Sequence, residues 1–365
     1  MKKRKLILFM PSIEGGGVEK NLFIIANYLS IKIPGSIIIT ASKKYNYKFK
    51  NIKIINPKIN LDKSNNRKIR YFFCLIELIK ILFKKDNFLL FAFQANLYCS
   101  LVGLFFPRLK IITRSNSSPV GWSKNMIKRM IFKILFIRIN KVIVNSEKFK
   151  KEIKNTFNVK AKRIYNPLDK EIVINKSRKS LKFRFFSTNN LKIINIGRFV
   201  HQKDQITFLR SLNLIKNKIK FKALIIGSGD KKSSLKDYIR DNKLKNLVKI
   251  INFKKNPYNY LKKSDLVVHT AIYEGLPNVL LEAICLNKFV ISTNCSTGPS
   301  EILSNGKGGD LINLKDYKTL SKKIMNFYFN KKKFDKKKNY ASKQLTRFEY
   351  KKNLTQYLIE VKKLM

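Results

Sequence analysis

Residues 264–287 read SDLVVHTAIYEGLPNVLLEAICLN. The apolar run at 265–269 has the composition of a buried strand, and the Glu-Gly-Leu-Pro turn after it ends on Pro277, whose fixed φ suits the first turn of a helix. That helix is apolar almost all round: Val279, Leu280, Leu281, Ala283, Ile284, Cys285 and Leu286 leave it no water-facing side, so it belongs inside a domain. Glu282 stands in its middle, and a buried carboxylate needs a partner. Were the segment helical throughout, Glu274 and Glu282 would lie at most ~12 Å apart along the axis, one for each end of an elongated ligand. The helix N-terminus between them suits an anion. Hydroxyls at both ends and phosphate in the middle describe a nucleotide sugar. A purely structural alternative has Glu282 paired with a Lys or Arg and Glu274 acting as a cap.

On either side of this segment, β-rich runs alternate with stretches of helical length. Strands are predicted at 5–10, 36–40, 51–56, 88–93, 109–114 and 141–146, and again, after a polar Lys- and Ser-rich passage at 175–187, at 192–196, 221–226, 248–253, 265–269, 289–293 and 310–313. This alternation is the mark of doubly wound parallel sheets. The α/β chain therefore divides into two Rossmann-like domains, 1–175 and 176–345, with a last helix at about 346–365 that packs back on the first. No repeat of solenoid period is visible.

Ligands of such sheets bind beyond the C-terminal strand ends, so the loops after the strands are where the chemistry is expected. Glu14-Gly-Gly-Gly-Val-Glu19-Lys20 follows the opening strand, where Gly16 and Gly17 let backbone approach a ligand or simply turn the chain. Ile196-Gly-Arg-Phe-Val-His-Gln-Lys-Asp204 places Arg198 and Lys203 at a strand tip, near a helix that Asp204 would cap; His201 between them reads as a surface residue. Ile226-Gly-Ser-Gly-Asp230 brings Gly227 to the next tip. Arg114, Asn116 and Asn145 fall after strands of the first half.

With Glu274 and Glu282 at its ends, YEGLPNVLLEA resembles the Glu-x7-Glu signature of the family 4 retaining glycosyltransferases of the GT-B fold, of the kind that build bacterial polysaccharides and lipopolysaccharide. The Gly-Gly-x-Glu loop at Gly16, the Gly-Arg…Lys-Asp order of Arg198 and Lys203, the Gly-x-Gly loop at Gly227, and the runs 296–303 and 305–309 match that family's motifs in order. The resemblance implies two domains facing across a cleft, with the donor held mainly by the second. Glu274 then faces the donor sugar, Glu282 holds the ribose hydroxyls, Arg198 and Lys203 clamp the diphosphate, and Gly275, Leu276, Pro277 and Asn278 line the donor. Arg114, Asn116 and Asn145 are acceptor-side candidates, and a histidine often found there in the family has no clear counterpart. A hexose or N-acetylhexosamine would pass from a UDP-sugar to a growing cell-surface or lipid-linked glycan with retention. No cofactor and no metal is expected: the chain has no Asp-x-Asp, and His201 and His269 lack ligand-like spacing.

Composition bounds the rest. The 365 residues, 44% hydrophobic, suffice for two cores. A net charge of +56 implies an anionic partner or surface, although the Lys-, Asn- and Ile-rich usage throughout is also what an AT-rich genome imposes. Cys74, Cys99, Cys285 and Cys295 have no paired spacing, as in a reduced cytoplasmic protein. The uncharged run 88–106 is interrupted by Gln94, Asn96 and Ser100 and reads as strand and helix, so no membrane span is predicted. Segments 67–85 and 124–138 mix bulky apolar residues with Lys and Arg, the composition of helices lying on an anionic membrane, here the inner face of the cytoplasmic membrane. Core helices with basic ends share it. Two other functions fit part of the sequence: a nucleotide-sugar epimerase on a similar scaffold, and a nucleic-acid binder, for which charge argues but no recognition motif does. A dinucleotide oxidoreductase fails because Lys20 and Lys232 stand where Gly-x-Gly-x-x-Gly needs its third glycine.

Overall fold

The computed structural model describes residues 4–14, 16–62, 66–84, 86–115, 125–186 and 189–365. It forms two compact units, Met1–Pro167 with Lys351–Met365, and Leu168–Tyr350. In the first, strands β1 (Lys5–Phe9), β2 (Ile37–Ile39), β3 (Lys53–Ile55), β4 (Phe88–Ala92), β5 (Lys110–Ser115), β6 (Lys141–Val144) and β7 (Ala161–Arg163) make one sheet in the order β3-β2-β1-β4-β5-β6-β7. In the second, β8 (Leu191–Ile196), β9 (Phe221–Gly227), β10 (Val248–Asn252), β11 (Leu266–His269), β12 (Phe289–Thr293) and β13 (Asp310–Ile312) follow the order β10-β9-β8-β11-β12-β13. Every pairing in both sheets is parallel. Parallel strands require helical crossovers that cover both faces, which is why β4 and β12 are buried along their whole length. Each unit is therefore a doubly wound parallel sheet.

The unit boundaries differ from those the composition points to. The helix Lys170–Ser177 is capped by Asp169, whose Oδ1 accepts from the Ile172 N–H at 2.9 Å, and it packs on the helices Tyr258–Lys263 and Asn278–Cys285. It therefore belongs to the second unit, and the division falls at 167/168 instead of 175/176. The chain returns to the first unit at Lys351. There the helix Tyr350–Lys362 buries Tyr357 fully, 6.2 Å from the Phe91 ring, and its buried Glu360 pairs with Lys141 at 3.2 Å.

The two basic-apolar segments differ in what they bury. Arg67–Leu82 packs Cys74, Leu78, Ile81 and Leu82 into the first core, leaving Ile69 and Phe72 exposed. Met126–Ile137 leaves Met126, Ile127, Met130, Ile131, Ile134 and Ile137 in the open, Ile137 at 84%. It packs beside the helix Asn96–Phe105, which exposes Tyr98, Leu101, Leu104 and Phe105. Among the described residues no helix is long and apolar enough to cross a membrane.

Candidate active site

In the second sheet β8 and β11 are neighbours although two strands separate them in sequence, so the strand order reverses between them and their C-terminal loops diverge around a crevice. The loop after β8 turns at Gly197, exposes Arg198, makes a short 3-10 turn at His201–Lys203 and enters the helix Gln205–Ile215. Asp204 stands at that helix's N-cap, but in a left-handed conformation at φ 44°, and its carboxylate accepts from the Thr207 hydroxyl at 2.7 Å without capping a backbone N–H. The loop after β11 runs from Thr270 to Pro277, which is the N-cap of the helix Asn278–Cys285 and not its first residue.

Three hydrogen bonds stitch these loops together. Gln202 Nε2 donates to the Tyr273 carbonyl at 2.8 Å, the Ile272 N–H donates to the Gln202 carbonyl at 2.8 Å, and Thr270 Oγ1 donates to the Lys203 carbonyl at 3.0 Å. Their register brings Lys203 Nζ onto Glu274 Oε1, which also accepts from His269 Nε2 at 3.0 Å. Burial pushes the Glu274 carboxyl up, but the Lys203 charge and the His269 hydrogen bond more than offset it and hold it at about 2. The buried imidazole is pushed down against the pull of Glu274, so it is neutral. On its other side Nδ1 lies 3.0 Å from Ser292 Oγ, one residue from the end of β12.

The Thr297 hydroxyl, on the loop after β12, donates to the Glu274 carbonyl. Gly298, at φ 84°, sits so close that a Cβ there would run into the Gly275 carbonyl, which only glycine avoids. Gly227 ends β9 against the same crevice, where a Cβ would strike the Gly197 carbonyl. Gly275, Leu276 and Pro277 are buried and Asn278 is half-buried. Glu282 is buried in mid-helix and accepts from the Tyr258 hydroxyl at 3.4 Å. Ser296, on the loop that supports Glu274, and Ser300, on the short helix Pro299–Ile302 after it, carry buried hydroxyls without hydrogen-bond partners, polar capacity that a hydroxylated ligand would use.

The second unit thus gathers Arg198, Lys203, Gly227, Glu274, Gly275, Leu276, Pro277 and Asn278 on the loops at the C-terminal side of one sheet, with Glu282 one turn into the helix that follows. Gly16, the N-cap of the helix Gly17–Lys32, lies in the first unit, where Glu14 is drawn to Arg67 by two hydrogen bonds. Arg114, an acceptor-side candidate, lies at the end of β5 and is held from within the first unit. It is fully buried, its Nε donates to the Tyr357 hydroxyl at 2.8 Å and an Nη to Asn166 Oδ1 at 2.7 Å, because the returning C-terminal helix closes over β5. Asn145 is buried at the end of β6 with an unpartnered Oδ1. Asn116 lies outside the described residues. Sequence reasoning passed over His269, Ser292 and Tyr258; a histidine closing an otherwise aliphatic strand at the ligand edge was the available signal for the first. Among the described residues no three His, Cys, Asp or Glu side chains gather as a metal site.

Comparison with known proteins agrees with this geometry. Residues 177–344 match the model of the family Glycosyl transferases group 1. An uncharacterized glycosyltransferase of Methanocaldococcus jannaschii is 32% identical over 204 residues, 53% of this chain and 50% of that protein, so the match spans half that relative's length. The Campylobacter jejuni N-acetylgalactosamine-N,N'-diacetylbacillosaminyl-diphospho-undecaprenol 4-alpha-N-acetylgalactosaminyltransferase is 23% identical over 85% of this chain and 86% of its own. Among solved structures, Anabaena HepE in complex with UDP superposes with a TM-score of 0.78 at 18% identity, covering 98% of this chain and all of that one. Sucrose-phosphate synthase of Thermosynechococcus elongatus gives 0.83 at 13% identity over 99% of both chains. The stretch 177–344 thus matches the Glycosyl transferases group 1 family, and the chain as a whole has the GT-B fold.

Proposed function

We propose that the protein transfers a hexose or N-acetylhexosamine from a UDP-sugar to a growing lipid-linked or cell-surface glycan, with retention of configuration. The observation that carries this reading is the buried, ionised Glu274 held beside Lys203 at the point where the strand order of the second sheet reverses. Departure of a nucleoside diphosphate leaves negative charge. Arg198, Lys203 and the N-terminus of the helix Asn278–Cys285 stabilise it, the work a metal does elsewhere. Glu282 binds the ribose hydroxyls in both ground and transition states. Glu274 accepts hydrogen bonds from the sugar and favours positive charge near the anomeric carbon, and the acceptor hydroxyl attacks from the face the diphosphate leaves. UDP bound to the Anabaena neighbour and the diphospho-undecaprenol acceptor in the name of the Campylobacter relative support the choice of donor and acceptor class. The exposed apolar helix Met126–Ile137 supports attachment to the inner face of the cytoplasmic membrane, where such acceptors reside.

A thermal-shift panel of nucleotide sugars tests the reading. A UDP-sugar at one hundred times its dissociation constant raises stability by about 2.7 kcal/mol. Activity with the stabilising donor should survive a chelator, and no product should form without acceptor. Epimerised donor in the absence of acceptor would replace transfer by epimerisation.

A further inference from the structure

Glu274 does not stand alone on its face of the sheet. His269 closes β11 and is 4% exposed, with its Nε2 3.0 Å from Glu274 Oε1 and its Nδ1 3.0 Å from Ser292 Oγ on the neighbouring strand. The strands carrying these two side chains are paired in register, His269 opposite Ser292, so the sheet holds the two backbones at a separation from which the hydroxyl reaches the imidazole. An ionised carboxylate only accepts, so Nε2 carries the proton and donates it to Glu274. A neutral imidazole then has a bare Nδ1, which can only accept, and the Ser292 hydroxyl is the donor placed to fill it. Ser292 Oγ also reaches the Thr293 carbonyl at 3.2 Å, the longer of its two contacts. Lys203 approaches the same oxygen of Glu274 from the loop after β8. The Lys203 amine is on a flexible stem and is the group that an arriving diphosphate would attract, whereas the imidazole is fixed by the sheet.

We propose that His269 is a positioning residue for transfer: with Ser292 behind it, it holds the Glu274 carboxylate in its working orientation through one N–H, independently of Lys203. This rests on the assignment of Glu274 to the sugar side of the donor. A hydrogen bond from a strand-fixed donor costs no reorganisation when charge develops at the sugar, so its loss should appear in kcat while the donor's KM is little changed.

The experiment compares His269→Gln, which keeps an N–H for the carboxylate, with His269→Leu, which fills similar space without one, in the full chain with donor and acceptor. The Leu variant should lose on the order of ten- to a hundredfold in kcat, the Gln variant less than about threefold, and the donor's KM should stay within about twofold in both. Equal kcat in the two variants, whether both wild-type or both impaired, would overturn the proposal, since packing alone treats them alike. If the Leu variant does not fold, Ser292→Ala takes its place: a fall in kcat at constant KM supports the relay and wild-type kinetics reject it. Glu274→Ala is measured alongside. Full transfer in that variant would remove the underlying role of Glu274, whereas an inactive Glu274→Ala beside a fully active His269→Leu would reject only the positioning role.

Discussion

At the scale of single residues, the site turns on what one carboxylate is made to do. Glu274 is buried, a situation that by itself favours the neutral acid, yet Lys203 and His269 keep it charged at about 2 against an ordinary 4.5. A depressed carboxyl stabilises the fold above the unfolded value, and that contribution is lost as pH falls from about 4.5 toward about 2. Wild type should therefore lose more stability across this acid range than Glu274→Gln does, and denaturant melts at a series of pH values would show parallel losses if the ion pair were idle. The same carboxylate predicts an order of activities. Glu274→Ala should keep nucleotide affinity and lose most transfer, while Glu274→Gln, whose amide oxygen still accepts a hydrogen bond, should retain more. A trapped glycosyl-enzyme on Glu274, with Gln as inactive as Ala, would instead make it a covalent nucleophile. If Arg198 and Lys203 stabilise the departing diphosphate as proposed, Arg198→Ala and Lys203→Ala should each lower kcat/KM by on the order of 10²-fold or more with the fold intact. Unchanged steady-state kinetics in either would dismiss the clamp.

At the scale of elements, what the sequence made legible depended on how strongly each segment declared its period. Strands such as Phe88–Ala92, apolar throughout because both faces are covered, were readable directly. β7 was not: Ala161-Lys162-Arg163 at the sheet edge is short, half-exposed and without a β-branched residue. The loops bearing Arg198, Lys203 and Glu274 were readable because their motifs are contiguous, whereas the His269–Ser292 and Tyr258–Glu282 contacts join residues far apart in sequence that only strand register and helix packing bring together. The partners of Arg114 were illegible for a related reason. Its place near a strand end pointed to the ligand edge, but nothing local announced that the last helix would return to cover it. That helix makes its own prediction. Tyr357→Ala should destabilise the first unit by about 3–5 kcal/mol through the cavity left beside Phe91. Tyr357→Phe, which keeps the ring and strips Arg114 of one partner, should cost about 1–3 kcal/mol. Chemical denaturation reads both, and equal costs would mean that the hydroxyl, not the ring, holds the helix.

At the scale of the whole molecule, the charge of +56 and the apolar face of Met126–Ile137 and Asn96–Phe105 must be separated, because a strongly basic protein adheres to any anionic surface. Charge alone is long-ranged, screened within about 8 Å at physiological ionic strength, and indifferent to which residue is changed. An apolar face adds a short-ranged term that depends on which side chains enter the interface. The protein should sediment with anionic vesicles at low salt, much less with neutral ones, and be released as salt rises. Met130→Asp with Ile134→Asp should abolish most of that binding, since both side chains are more than half exposed on the proposed face. Leu214→Asp, an exposed apolar position of the second unit that changes the net charge in the same sense, should alter it little. If the two substitutions weakened binding in proportion to charge alone, the face would have no part in it and the adhesion would be purely electrostatic. If neutral and anionic vesicles bound equally, or neither bound, the attachment to an anionic membrane would be wrong.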